Sequence, residues 1–213
     1  MMDGTDLAER GLDNFCSAVT IFDPTAMSGQ RILAAFVCLP SGVVYYAGRE
    51  TDTAYVHVRN RPVRKVSGPS SVTEIRNASI CFYGQKAGKL QKLVSTGSLL
   101  AEMAKLEAQQ KTGLRIYTLA GIPMMVRLAD HVAKDARGID AVFEISGQKP
   151  HDVVAGVYIA KKSGACLKDL SGNELDYVQL EEALLKPSMS SLRYVLASTE
   201  ELCDEIITLL KKQ

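Results

Sequence analysis

The tightest constraint on how this chain can fold is the stretch 151–164, HDVVAGVYIAKKSG. Asp152 carries the side chain a helix N-terminus favours, because a carboxylate accepts from the first free backbone N–H groups and meets the positive end of the helix dipole. Val153, Val154, Val157 and Ala160 follow at helical spacing and define one buried face. Ala155 and Gly156 are small, so a second element can approach closely there. Gly164 suits the left-handed position that closes a helix, and 165–170 (ACLKDL) alternates like a strand before the turn Ser171-Gly172-Asn173. The stretch predicts a capped, buried helix leading into a strand. A lone aspartate at such a helix mouth is, by itself, an ordinary cap.

Around this unit the first half of the chain reads mainly as strand and the second half alternates strand with helix. Residues 1–14 are polar and glycine-containing, which suits a loop or short helix. Segments 18–23 and 31–40 are apolar and β-branched, and the turn 24–29 joins them into a hairpin. Segments 42–48 and 54–58 extend the same sheet, and 60–67 leads through a proline turn into an edge strand. From 89 to 110, Leu90, Leu93, Leu99, Leu100, Met103 and Leu106 recur at three and four, an amphipathic helix interrupted at Gly97 and closed by Gly113. A strand at 115–119, a helix from Pro123 punctuated by Gly138 and a strand at 139–145 precede the Asp152 helix. Beyond it come a short helix at 180–185, a loop at 187–191, a strand at 194–197 and a last helix at 199–212, for which Ser198 and Glu201 form a capping box. The pattern is that of a mixed α+β fold. Without a linker, repeat or low-complexity tract, it predicts one domain over 1–213, with no internal boundary sharper than a break near 68–80.

Charge narrows the function. Lys and Arg number 25 against 24 Asp and Glu, so no long-range field draws nucleic acid or an anionic membrane. No apolar run is long enough to span a bilayer, and the N-terminus lacks the basic-then-apolar pattern of a secretory signal, which points to the cytoplasm. Cys16, Cys38, Cys81, Cys166 and Cys203 are scattered and mostly set among apolar residues. They read as buried small hydrophobes rather than a disulfide framework or a zinc site. His57, His131 and His151 show no metal-ligand spacing.

A second feature stands at the N-terminus, Asp3-Gly4-Thr5, which alone would be an ordinary turn. Together with 151–172, HDVVAGVYIAKKSGACLKDLSG, it resembles the two ends of the active site of the inositol monophosphatase (IMPase) family, which is related to fructose-1,6-bisphosphatase. Members carry a D-P-x-D-G-T motif and, far downstream, a W-D-x-x-A-G motif before a helix and strand. Here the second motif reads His151-Asp152-Val153-Val154-Ala155-Gly156, with His in place of Trp. The resemblance runs over essentially the whole chain, while the first quarter or so of the family domain has no counterpart in it.

The resemblance implies a layered αβαβα sandwich lacking the N-terminal helical layer, with exposed apolar surface that a homodimer would cover. It implies magnesium-dependent hydrolysis of a small phosphorylated substrate, an inositol phosphate or related sugar phosphate, by metal-activated water. Asp3 would bridge metal ions, and Asp152 would hold the metal nearer the leaving group. Gly4 and Thr5 would offer backbone N–H groups to the phosphate at a helix start, and the Thr5 hydroxyl would orient the attacking water, which makes Asp3 and Thr5 the catalytic pair. Gly121 and Ile122, opening a helix, would line the substrate pocket with Glu144 and His151. The plainer readings are an exposed strand-end Glu144 and a partly buried structural His151. Two ligands of the family's first metal, a glutamate and the first aspartate of the motif, would fall before Met1, and Met1-Met2 stand where the motif has Pro-x. The expectation is that the true start lies upstream; a chain beginning at Met1 would bind magnesium weakly and hydrolyse slowly. The alternative is a non-catalytic relative that keeps the fold for binding or assembly.

Overall fold

Residues 16–22 and 32–38 alternate buried and solvent-facing side chains, and in the computed structural model they pair as the hairpin β2 (Cys16–Phe22) and β3 (Ile32–Cys38). The structure describes residues 2–3, 5–11, 13–84, 86–109, 114–119, 121–131, 138–188 and 190–211. Gly113, expected to close a helix, lies outside them. With β1 (Met2–Asp3), β4 (Val44–Gly48), β5 (Tyr55–His57) and β6 (Arg64–Lys65), the hairpin builds a six-stranded antiparallel sheet in chain order. The proline turn does lead into its edge strand, β6. Short helix α1 (Thr5–Glu9) follows β1.

One row of cross-strand neighbours, Val19, Phe36, Tyr46, Tyr55 and Lys65, crosses the outer face of this sheet. The Phe36 and Tyr46 rings stack with centroids 5.9 Å apart, and those of Tyr46 and Tyr55 are 5.6 Å apart. The inner face (Cys16, Ala18, Ala35, Val37, Ala47, Val56) is buried. It packs on α4 (Ile122–Ala129) and α5 (Val154–Lys162) within one apolar cluster.

The same two helices cover a second sheet of five strands, ordered β10-β11-β9-β7-β8: β7 (Ser79–Phe82), β8 (Arg115–Tyr117), β9 (Ala141–Gln148), β10 (Cys166–Asp169) and β11 (Leu192–Ala197). Strand β7 runs parallel to β8 and β9, while β11 is antiparallel to β9 and β10. Cys81, Val142, Leu167, Tyr194 and Leu196 face α4 and α5. On the other side Ile80, Phe82, Phe143, Val195 and Ala197 pack in a separate cluster with α2 (Ala87–Ser95), α3 (Leu99–Gln109) and α7 (Glu200–Lys211). Burial on both faces explains why β9 reads as a near-continuous apolar run. The layers therefore run sheet, helices, sheet, helices, which is the expected sandwich without a helical layer outside the first sheet. Among the described residues no helix is long and apolar enough to cross a membrane.

Several local expectations need correction. The helix expected from 89 to 110 is two helices, broken around Gly97 as its sequence suggested. Helix α4 ends at Ala129, well before Gly138, because Asp130 leaves the helical conformation and turns its carboxylate to β6. Ser198 does not cap α7: its hydroxyl donates to the Val72 carbonyl, and the Thr199 hydroxyl accepts the Leu202 N–H instead. Helix α6 (Tyr177–Leu185) starts earlier than expected, at a capping box formed by Asp176 and Gln179. Cys38 is exposed rather than buried, because it falls on the outer face of the first sheet.

Two consequences can be measured. A Cβ on Gly156 would stand 2.6 Å from Met125 Sδ and 3.3 Å from Ile122 Cα, so α4 and α5 touch at their first turns through a gap only glycine leaves open. Gly156→Val should cost about 1–3 kcal/mol by forcing the helices apart, read as a lower denaturant midpoint with an unchanged slope. The second concerns Asp130, buried at the end of α4. Burial alone would raise its pKa, but hydrogen bonds from Arg64 and the Ser67 N–H, with the Arg64 charge, outweigh burial and hold it below the usual carboxylate value. A depressed folded pKa contributes stability that is complete above about pH 4 and lost as pH falls through the lower folded value. Arg64→Met should therefore cost about 1–3 kcal/mol at neutral pH and move the acid-unfolding midpoint upward.

Candidate functional site

Asp3 reaches the interior because β1 pairs at the edge of the first sheet, with Asp3 opposite Cys16. Its carboxylate is buried, and Oδ2 accepts the Ile122 N–H at 2.9 Å. That amide is one of the unsatisfied donors of α4, whose N-cap Gly121 has no side chain to offer. A carboxylate from the far end of the chain thus does the work of a local cap, at the end of the helix where the dipole favours negative charge. Gly121 sits at φ 127°, and a Cβ there would stand 2.7 Å from Asp3 Oδ2, so glycine is required by both conformation and space. Burial, reinforced by the neighbouring Asp3 carboxylate, pushes the Cys16 thiol up to about 12.

Asp152 is not the N-cap of α5. It ends a single 3-10 turn, Pro150–Asp152, and the cap residue is Val153, which makes no side-chain cap bond. The early turn, initiated by Pro150, uses the Asp152 N–H on the Lys149 carbonyl and leaves the side chain 38% exposed. His151 is exposed rather than partly buried, and its Nε2 lies 3.6 Å from Asp152 Oδ1. The contact of Gly156 with Ile122 places the first turn of α5 on the first turn of α4. Asp3, bonded to the start of α4, and Asp152, in the turn that precedes α5, therefore lie by adjoining helix starts.

Glu144 belongs to another arrangement. It lies within β9 opposite Tyr194 and is wholly buried, so the exposed strand-end reading is overturned by its place in a central strand. Its Oε1 accepts the Ser146 N–H at 2.5 Å and the Gly147 N–H at 3.1 Å, while Oε2 accepts Lys89 Nζ at 2.6 Å. The same ammonium stands 4.2 Å from the centre of the Tyr83 ring. Beside it the Tyr194 hydroxyl donates to Gln148 Oε1 at 2.8 Å, and burial, then the charges of Glu144 and Asp3, drive its pKa far upward. Tyr194 thus lies within the fields of both carboxylates.

The structure brings Asp3, Gly121 and Ile122 into contact, pairs His151 with Asp152, and couples Glu144 to the Asp3 side through Tyr194. Gly4 lies outside the described residues, and Thr5 is described only as the first backbone position of α1. Lys89 and Tyr194 had no marker in the sequence: Lys89 is one of three lysines at 86, 89 and 92, and only the seating of α2 on β9 selects it. Among the described residues no group of three or more His, Cys, Asp and Glu side chains is placed to hold a metal ion.

No protein-family model matches the chain, and no curated sequence matches it. Solved structures do. A Pyrococcus horikoshii protein described as having similarities for inositol-1 monophosphatase is 24% identical, with a TM-score of 0.65 over 99% of this chain and 68% of its own. A Thermotoga maritima IMPase is 17% identical, also at 0.65, over 98% and 65%. An IMPase/NADP phosphatase complexed with Mg2+ and phosphate is 15% identical, again at 0.65, over 100% and 65%. The chain has the IMPase fold, and it spans about two thirds of the length of these structures.

The buried Glu144–Lys89 pair should behave as a unit. Lys89→Met leaves a carboxylate charged in the interior and should cost about 3–5 kcal/mol. Adding Glu144→Gln to it should recover part of that loss in thermal or urea unfolding.

Proposed function

We propose that this chain is a magnesium-dependent phosphomonoesterase of IMPase type, acting on an inositol phosphate or a related sugar phosphate. The observation that supports this reading is a pair of carboxylates, far apart in the sequence, one bonded to the start of α4 and one in the turn before α5, in an IMPase fold. Magnesium takes hard oxygen donors and commonly keeps one or two carboxylates with water and substrate phosphate, a donor set that Asp3 and Asp152 fit. When bound, it lowers the pKa of its water and offsets charge on the leaving oxygen.

The chain's own residues prepare the site. The Ile122 N–H fixes one oxygen of Asp3, so the carboxylate does not have to be ordered when substrate arrives. Asp152, open to solvent, keeps the freedom to take a ligand at the mouth of α5. His151 presents its imidazole beside it, within reach of a substrate hydroxyl. Glu144 is tied by Lys89 and two amides, so its part in this reading is to place β9 and Tyr194 behind the site unless Lys89 releases it.

The test is phosphate release from inositol 1-phosphate, fructose 1,6-bisphosphate and a nucleotide 3′-phosphate, with and without magnesium. Release should depend on magnesium, and Asp152→Asn should lower kcat/KM about 100-fold or more while the fold is retained. No release from any substrate by the folded wild-type chain would overturn the reading and favour a fold kept for binding or assembly.

A further inference from the structure

A second feature of the molecule lies on the opposite side of the five-stranded sheet from Asp3 and Asp152. On edge strand β10, Cys166 and Lys168 are two apart and share the face turned to α7, while Leu167 between them faces α5. On α7, Glu200, Cys203 and Asp204 fall at i, i+3 and i+4, one helical face. These two faces meet: Lys168 Nζ donates to Glu200 at 2.8 Å and to Asp204 at 2.7 Å. That clamp seats Cys203 over the sheet, where its thiol donates to the Val195 carbonyl at 3.5 Å, in the apolar cluster against which Cys166 packs.

We infer that Cys166 and Cys203 form a reversible disulfide on exposure to a hydroperoxide, and that this bond staples α7 to the edge of the sheet. Cys166 is the entry point. It is half-buried and lines an opening of about 330 Å³ with Lys161, Lys168, Glu174 and Glu200. The neighbouring Cys203 thiol, set against burial and helped by the Lys168 charge, brings its pKa below the usual thiol value, whereas Cys203 is pushed well above it. In the first step the Cys166 thiolate attacks the O–O bond, giving a sulfenic acid and one water (or alcohol), with the thiol proton leaving on that oxygen. In the second the Cys203 sulfur attacks the Cys166 sulfur, the S–S bond forms, and the hydroxyl leaves as water with the Cys203 proton. Two thiols are oxidised by two electrons, and the peroxide is reduced.

The other cysteines do not offer this. Cys16 and Cys38 are on opposite faces of the first sheet, since Ser17 is the partner of Cys38. Cys81 is buried in the other cluster, with its thiol raised by burial to about 12.

The full chain carrying Cys38→Ser, which removes the exposed thiol, is treated with stoichiometric hydrogen peroxide under native conditions. It should titrate two fewer thiols, lose the mass of two hydrogens without dimerising, and yield the peptide of Cys166 joined to that of Cys203, all reversed by dithiothreitol. Cys166→Ser in that background should keep its thiols. Cys203→Ser should instead accumulate a dimedone adduct at Cys166, and if it does not fold, Cys166→Ser carries the same distinction. Unchanged thiol titration in the folded parent, or a bridge through Cys16 or Cys81, overturns the proposal.

Discussion

The contact of α4 with α5 at their first turns is what the remaining structure rests on. Both sheets pack against this helix pair, one on each side, so the distance between the helices sets the width of the middle layer. The same contact bears on the two carboxylates beside it. Asp3 is bound to the first amide of α4, and Asp152 ends the turn that feeds α5. Widening the gap at Gly156 would separate two carboxylates as well as two helices. Packing and site geometry are here a single constraint, and the small residues in Ala155-Gly156 serve both.

Buried acids connect distant parts of this chain in a consistent manner. Asp3 accepts from Ile122, Asp130 from Ser67, Asp140 from Ser79, and Glu181 from Gly29, Arg31 and Ile32, and the half-buried Glu205 does the same for Ile75, in each case through a backbone N–H. Each amide so held is one that its own helix, turn or strand leaves without a carbonyl, and a carboxylate with two oxygens can satisfy several at once. Hydrogen bonds to the ionised form lower the cost of burying the charge and fix where loops meet strands. Net charge near zero is compatible with this, because many of the acids are spent internally and the remaining surface keeps both signs.

That use of acids explains what could be read from the sequence. Periodicity identified the strands of the first sheet, the Asp152 helix and its following strand, and the break at Gly97, since each follows from a local rule about spacing or glycine. The Asp3-Gly4-Thr5 and His151–Gly156 motifs pointed to the fold and supplied the two carboxylates of the proposed site. What the sequence did not reveal was every partnership set by tertiary register: Glu144 against Lys89, Tyr194 beside both, and Asp130 drawn to Arg64 so that α4 stops short of Gly138. The Asp152 cap failed for a local reason. Pro150 begins a tight turn, which consumes the Asp152 amide before the helix starts and hands the cap position to Val153.

Glu144 and Asp152 contrast as an acid locked into the core and an acid open to solvent. Glu144 has an ammonium and two amides and is closed to water; it would lose all three by turning to a ligand. Asp152 has a half-open carboxylate whose ion-pair contact is a neighbouring imidazole at 3.6 Å, so binding a cation or substrate costs little rearrangement. Asp3 stands between these extremes, buried, with Oδ2 oriented by the Ile122 amide. One oriented and one adaptable carboxylate are suited to share a hard cation and, through it, an anionic ligand. A site built on Glu144 could accept one only after breaking the core that places it.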